Sequence, residues 1–221
     1  MSATLDMQGK VAVIRMDDGK VNAINFDRLN ELNDAMDKAM DDAGAVVIAG
    51  RDGVFSGGFD LKIMRGAPLE EINRLVNEGA KFLHRLLTSD RPIVGASTGH
   101  GMAMGLFTLM ACDYRVGAQG AFQYGANETA IGMPLPVFGF ELAKIRMTPA
   151  AFARSVALSV PFNPDSAKDA GVLDEVVAPE KVLEVAIAHA EQFAAYPREA
   201  FSFNKAGVNT GAVETIAANI V

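Results

Sequence analysis

Two glycine-rich stretches and one carboxylate hold the residue types best suited to chemistry. Phe55-Ser56-Gly57-Gly58-Phe59-Asp60-Leu61-Lys62 follows an apolar strand-like run, Gly44 to Gly50. Thr98-Gly99-His100-Gly101-Met102-Ala103-Met104-Gly105 follows a second strand-like run, Pro92 to Ser97, and leads into Leu106 to Cys112. That last run is too apolar to face water on any side, so it reads as a buried helix. Glycines let the chain turn sharply and leave N–H groups free. A helix start adds unpaired N–H groups and the positive end of its dipole. Such turns suit an anion, including one that exists only during a reaction. On spacing alone, glycines that merely allow close packing are the favoured reading, because short glycine patterns are common.

Glu128 is the candidate acid–base group. It sits in Ala126-Asn127-Glu128-Thr129-Ala130-Ile131, read here as part of a strand running to Gly132. Apolar neighbours would desolvate the carboxylate and raise its pKa toward the range of a general base. His84 and His189 have no ligand spacing to each other, and His100 reads as a packing or hydrogen-bonding residue, so no metal site is expected. The one cysteine, Cys112, reads as a buried core thiol.

The elements that must position these groups alternate between strand and helix, as in an α/β layered domain. Thr4 to Gln8 and Lys10 to Met16 alternate apolar and polar around Gly9, a β-hairpin pattern. Lys20-Val21-Asn22-Ala23 is a loop, and Asp27 is positioned to cap a helix to about Asp41. Pro68 opens an amphipathic helix to about Thr88, with Leu69, Ile72, Leu75, Val76 and Leu83 on the buried face. Beyond Asp113 to Gly117, another short strand, come helices from about Phe138 to Arg146, from Thr148-Pro149 onward, and from Asp165 to Asp169. A strand near Val176 follows, and from Pro179 the chain reads as helical, with breaks at Pro197 and Gly207.

With 221 residues the chain is long enough for one domain with a sizeable core. A formal charge of -7 argues against a nucleic-acid footprint, and scattered lysines and arginines give no basic run to suggest a membrane surface. No run reaches the length of a membrane span, no signal-peptide layout opens the chain, and a single cysteine fits a reducing compartment, so a cytoplasmic protein is expected.

Six segments, in order, resemble the crotonase superfamily, the enoyl-CoA hydratase/isomerase family. Lys20 to Ala23 is similar to its K-x-N-A loop, and Phe55 to Lys62 to its F-x-x-G-x-D-[IL] segment. Arg91-Pro92-Ile93-Val94-Gly95-Ala96 with Gly99 to Gly105 resembles its proline-led strand and glycine turn. Cys112-Asp113, Glu128 to Gly132, and Ala167 to Val177 complete the series, which spans about residues 10–180.

The resemblance implies an α/β fold, a crotonase-type spiral of strand–strand–helix repeats with a helical carboxy-terminal region. The core and acyl-CoA site would lie in 1–178, and 179–221 would serve oligomerisation and cover the site. It implies an acyl-CoA thioester as substrate, no separate cofactor, and a homo-oligomer, either a trimer or a dimer of trimers. By position the backbone N–H groups of Phe59 and Met104 would hold the thioester enolate, with Glu128 as acid and base. Lys20, Val21, Ser56, Gly57, Gly58, Asp60, Leu61, Lys62, Gly101, Gly105 and Phe107 would line the substrate and CoA site, with Asp60 structural in its own turn and Lys20 and Lys62 near phosphates. Phe107 stands where the family's second glutamate falls. One carboxylate can move a proton between two carbons, whereas a hydratase uses two to hold one water. The expectation is therefore isomerisation of an enoyl-CoA double bond. The alternatives are a hydratase using Glu141 as its second carboxylate, or a non-catalytic scaffold. A related fold carries serine peptidases of the Clp type, but Ala103 stands where their nucleophile would be. The chain ends, at Val221, earlier than many members of the family.

Overall fold

Apolar runs rich in Val, Ile and Ala, bounded by glycine, form strands buried on both faces. In the computed structural model, which describes residues 3–220, β3 (Ala45–Ala49), β5 (Ile93–Ser97) and β7 (Tyr114–Ala118) are such strands. They lie side by side, parallel, in a six-stranded sheet flanked by the hairpin β1 (Ala3–Gln8) and β2 (Val11–Met16) and by β9 (Glu175–Val177). The amino-terminal hairpin is as its alternation predicts.

A second sheet, implied by the family resemblance but not visible in the residue pattern, holds β4 (Gly53–Ser56), β6 (Gly99–Met102) and β8 (Tyr124–Gly125). After each of β3, β5 and β7 the chain steps into this smaller sheet before entering a helix, which makes the strand–strand–helix spiral. What reads as a glycine turn therefore starts as a strand. Glycine is required because a Cβ at Gly99 would overlap the Gly53 backbone, and one at Gly105 would overlap the Ser56 carbonyl. Side-chain alternation cannot reveal strands this short and this poor in side chains.

Helices cover both faces of the large sheet. α1 (Phe26–Asp42) is capped by Asn25, whose side chain accepts from the Arg28 N–H at 2.9 Å, rather than by Asp27, which lies one residue inside. α8 (Val182–Ala194) lays Val182, Ala186 and Ala190 on the valines and alanines of β2, β3, β5 and β7. α9 (Arg198–Ala218) packs on α3 (Leu69–Thr88) and α5 (Val137–Arg146), and runs straight through Gly207. A helix-interior glycine costs only about 1 kcal/mol, and packing over 21 residues outweighs it. The outer face of α9 leaves Phe203 80% exposed. α6 (Pro149–Leu158) starts on the expected Thr148 cap, and α7 (Pro164–Asp169) on Asn163. No helix among the described residues is long and apolar enough to cross a membrane.

α4 (Met104–Ala111) is buried along its whole length, as its composition requires. Its carboxy-terminal carbonyls cannot reach water, so cations meet them. Arg146 Nε donates to the Met110 carbonyl and Arg115 Nη1 to the Cys112 carbonyl, each at 2.8 Å. Beside them Lys205, only 6% exposed, donates to Asp113 Oδ2 at 2.7 Å, and the same oxygen accepts the Ile93 N–H. This ties α9 to β5 and to the residue following α4.

One loop is stapled more heavily than its sequence suggests. Asn22 is fully buried with φ +49, a conformation asparagine tolerates better than most residues. Its Nδ2 donates to the Met16 carbonyl at 2.9 Å and to the Phe55 carbonyl at 3.1 Å. Its Oδ1 accepts the Asp18 N–H, while Asp18 Oδ1 accepts the N–H groups of Lys20 and Asn22. Burial alone would raise the Asp18 pKa, but these N–H donors and Arg28 outweigh it and hold the carboxyl below its ordinary value.

Two stability predictions follow from these buried polar groups. Asp113→Asn leaves a buried ammonium without its counter-charge and is expected to lower unfolding stability by about 3–5 kcal/mol. Adding Lys205→Met to that variant should recover most of the loss in urea titration. Asn22→Ala strips two buried carbonyls of their donor and should cost on the order of 2–4 kcal/mol. Asn22→Gly, free of the φ penalty, should cost less but still fall short of wild type.

Candidate active site

The staples on Asn22 bring the first glycine stretch into place. Gly57 N–H donates to the Val21 carbonyl at 2.8 Å, Ile24 N–H to the Gly58 carbonyl at 2.8 Å, and Asp60 N–H to the Ile24 carbonyl at 2.9 Å. Ser56 Oγ donates to the Asn22 carbonyl and accepts the Gly58 N–H. Asp60 caps the short α2 (Leu61–Gly66) by accepting the Lys62 N–H at 2.9 Å, the structural role expected of it. Every other N–H from Gly57 to Asp60 is thereby engaged. That of Phe59 donates to no backbone or side-chain acceptor among the described residues.

The second stretch arrives from the other side. Ala103 takes φ +48 and ψ -122, a strained turn for a residue with a side chain, just where β6 ends and α4 begins. Ala103 is pinned by its N–H to the Gly125 carbonyl, whereas the Met104 N–H, at the start of α4, meets no acceptor among the described residues. The two turns touch: a Cβ at Gly58, which has φ +93, would lie 2.8 Å from the Ala103 Cβ and 3.2 Å from the Met104 nitrogen. Gly101 lies in β6 behind this turn, facing Tyr124 and Leu109, and Gly105 packs on Ser56. Both support the turn without reaching the cavity.

A cavity of about 350 Å³ opens in front of the turns. Gly57, Phe59 and Ala103 line it on the glycine side, with Phe107 and Phe138 beneath, and Glu128 faces it. Glu128 is 9% exposed, and its Oε2 is buried with no hydrogen-bond partner among the described residues. Burial raises its pKa above the ordinary carboxylate value, and a bond from its own backbone N–H offsets this only in part. Glu128 does not lie in a strand. It precedes a single 3-10 turn, Thr129–Ile131, closed by Gly132 at φ +74. The chain leaves the small sheet after Gly125, so no neighbouring strand remains to pair with these residues.

Phe107 is buried, edge-on to Phe138 at 5.6 Å, so an aromatic ring fills the position of a second carboxylate. Glu141 is not brought to the cavity: it sits on α5 paired with Lys144 at 2.6 Å. Lys20, Val21 and Lys62 are exposed and do not line the cavity, and neither lysine forms an ion pair among the described residues. His100 accepts the Gln123 N–H and packs edge-on to Phe122. Cys112 is buried, its thiol pushed up to about 12 by burial. No cluster of metal-ligating side chains occurs among the described residues.

Two features escape a reading by pattern. Leu69 and Ile72, placed on the core face of α3 by periodicity, line the cavity instead, and Leu69 is 71% exposed at its mouth. An amphipathic stripe cannot tell a core from a binding cleft. Gly79, also on α3, makes room for the unusual side chains of the glycine stretches: its missing Cβ would meet the Phe59 ring at 2.6 Å and the Met104 Cε at 3.3 Å. A glycine amid that helix's apolar stripe was the available signal.

Comparison with known proteins agrees with this architecture. Residues 6–220 match the family model described as enoyl-CoA hydratase/isomerase. A mitochondrial enoyl-CoA delta isomerase 1 of Homo sapiens is 29% identical over 205 residues, 91% of this chain and 68% of the relative. A probable enoyl-CoA hydratase of Mycobacterium avium is 33% identical, over 76% of this chain and 65% of the relative. Among solved structures, an enoyl-CoA hydratase of Mycobacterium marinum superposes with a TM-score of 0.95 at 39% identity, covering 100% of this chain and 96% of the other. A human mitochondrial delta3-delta2-enoyl-CoA isomerase gives 0.94 at 26% identity, covering 99% and 87%. The relatives carry both names, and the fold, the collinear motifs and the match together make this chain a member of the enoyl-CoA hydratase/isomerase family, within the crotonase superfamily.

Proposed function

We propose that the protein isomerises the double bond of an enoyl-CoA thioester, using Glu128 as its one acid–base group. The observation that carries this reading is the content of the cavity: a single ionisable side chain, Glu128, faces otherwise apolar walls and two asparagines, with Phe107 where a water-holding carboxylate would be needed. A carboxylate in such surroundings is under-solvated, which makes it a stronger base than glutamate in water.

The steps follow from this geometry. The thioester oxygen of a 3-enoyl substrate sits between the Phe59 and Met104 N–H groups. Glu128 takes the proton from C2, and the electron pair moves onto that oxygen, giving a conjugated enolate. The neutral Glu128 then returns the proton to C4 as the pair moves back, leaving a 2-enoyl thioester. The N–H groups are fixed before the reaction, so they stabilise the developing charge without reorganising, each on the order of 3 kcal/mol. Lys20 and Lys62, both exposed, would meet the phosphates of coenzyme A. Hydration requires a second polar group to orient water, and Glu141 is held elsewhere by Lys144. A scaffold without chemistry has no need of a desolvated carboxylate, whose burial works against folding.

Glu128→Gln is expected to lower 3-enoyl to 2-enoyl conversion by about 10²–10⁴-fold with acyl-CoA affinity retained. Unchanged turnover would remove Glu128 from the mechanism, and faster hydration than isomerisation in a paired thioester assay would favour the hydratase reading.

The pH dependence has a definite sign. Glu128 acts as base when ionised, so kcat/KM should fall on the acid side through a pKa above the ordinary 4.5. A folded-state pKa above the unfolded one means the folded chain binds the extra proton. Stability is therefore lost as pH rises through that window. Glu128→Gln should raise the thermal midpoint near neutral pH, and the gain should vanish below the unfolded carboxylate's pKa.

A further inference from the structure

The wall of the active-site cavity formed by α3 and the start of α5 has a second cavity against it. This one, about 180 Å³, is lined by Val76, Asn77, Ala80, Pro136, Phe138 and Ile216, and reaches the surface at Val137 and Asn219. Val76, Pro136 and Phe138 line both spaces. The partition is thus one side chain thick, with Val76 on α3 and Phe138 on α5, and the far chamber continues toward α9.

We propose that Val76 and Phe138 form a partition that sets the length of acyl chain the site accepts, dividing a near chamber for short and medium chains from a far chamber that opens toward the carboxy-terminal helix. This rests on the acyl-thioester reading above. The near walls are Ile72, Val76, Leu135 and Phe138, and no cation lines the cavity, so a largely hydrocarbon chain fits better than a carboxylated acyl group. A methylene is close to a water molecule in volume, ~30 Å³. The near chamber of 350 Å³ thus has room for about a dozen such groups, thioester included, and the far chamber's 180 Å³ for about six more.

The partition is held unequally. Phe138 is buried and locked edge-on against Phe107 at 5.6 Å, whereas Val76 is only partly buried. Val76 is therefore the side that can be cut back with little loss of fold. Gly139, beside Phe138, leaves space for the Leu135 side chain and the Phe107 ring, which pack where its Cβ would be.

The test is the affinity of saturated acyl-CoA thioesters of 4 to 18 carbons, measured by calorimetry. Each methylene newly buried should tighten binding about fourfold, and in the wild type the gain should stop once the near chamber is filled. In Val76→Ala the gain should continue over several further carbons. Phe138→Leu, which keeps an apolar side chain in place, should give the same extension. Ala80→Leu fills only the far chamber, so Val76→Ala with Ala80→Leu should return to the wild-type limit. A wild-type affinity that rises without a limit to 18 carbons, the same limit in wild type and both openings, or an extension that survives Ala80→Leu, would each overturn the partition. Turnover of a short 3-enoyl thioester by wild type, run alongside, reports separately on the isomerase reading.

Discussion

The whole site depends on one close approach: the Gly58 turn pressed against the Ala103–Met104 turn. A side chain at Gly58 would stand 2.8 Å from the Ala103 Cβ, so the approach exists only because none is there. Each turn comes from a different layer of the spiral, one at the end of β4 and one at the end of β6. Pairing of these strands fixes their ends side by side, and the free N–H groups of Phe59 and Met104 inherit that placement. Two local costs are accepted, the positive φ of Ala103 and that of Asn22. Both residues are over-determined by hydrogen bonds, so neither turn can relax into a conformation that would spend its free N–H on the protein itself.

The opposite wall follows a different logic. Where the glycine turns supply polar groups fixed in place, the Glu128 wall removes polarity. Phe107, Phe138, Ile131, Met133 and Leu135 surround the carboxylate, and no donor is offered to its buried oxygen. The same desolvation that raises the Glu128 pKa weakens the fold at neutral pH. Other buried charged groups do find partners. Lys205 meets Asp113, Arg115 meets Asp174, and Arg146 meets the end of α4.

Much of the frame is legible in the sequence because it rests on long runs. The hairpin at the amino terminus, the apolar strands around Val47 and Val94, the long helix after Pro68 and the wholly buried α4 all announce themselves by period or by uninterrupted apolarity. The glycine stretches and Glu128 are legible as candidates, and the structure brings them to one cavity. The small sheet is not legible, because β8 has two residues and β6 has two glycines. The turn at Glu128 reads as a strand in sequence because apolar residues near a glycine look alike in either form, and only the missing neighbour decides. Asn22 looked like any loop asparagine, and its worth lies in two carbonyls six and 33 residues away. Local pattern cannot report a partner so distant in the chain.

The exposed leucines show why a binding cleft and a core are confused in sequence. Leu61 opens α2 and Leu69 opens α3, both exposed and both lining the cavity. Each carries the pattern of a helix residue meant for burial, yet the core beneath α3 is filled by Leu75, Leu83 and Leu86 without them. A stripe that extends one turn beyond the core it serves has apolar surface to spare. An acyl chain laid along Leu69, Ile72 and Val76 would remove that surface from water at about 25 cal/mol per Å². One helix therefore does two jobs along a single face, its carboxy-terminal half building the core and its amino-terminal half offering a wall. Gly79 lies between the two, where the Phe59 ring crosses from one job to the other.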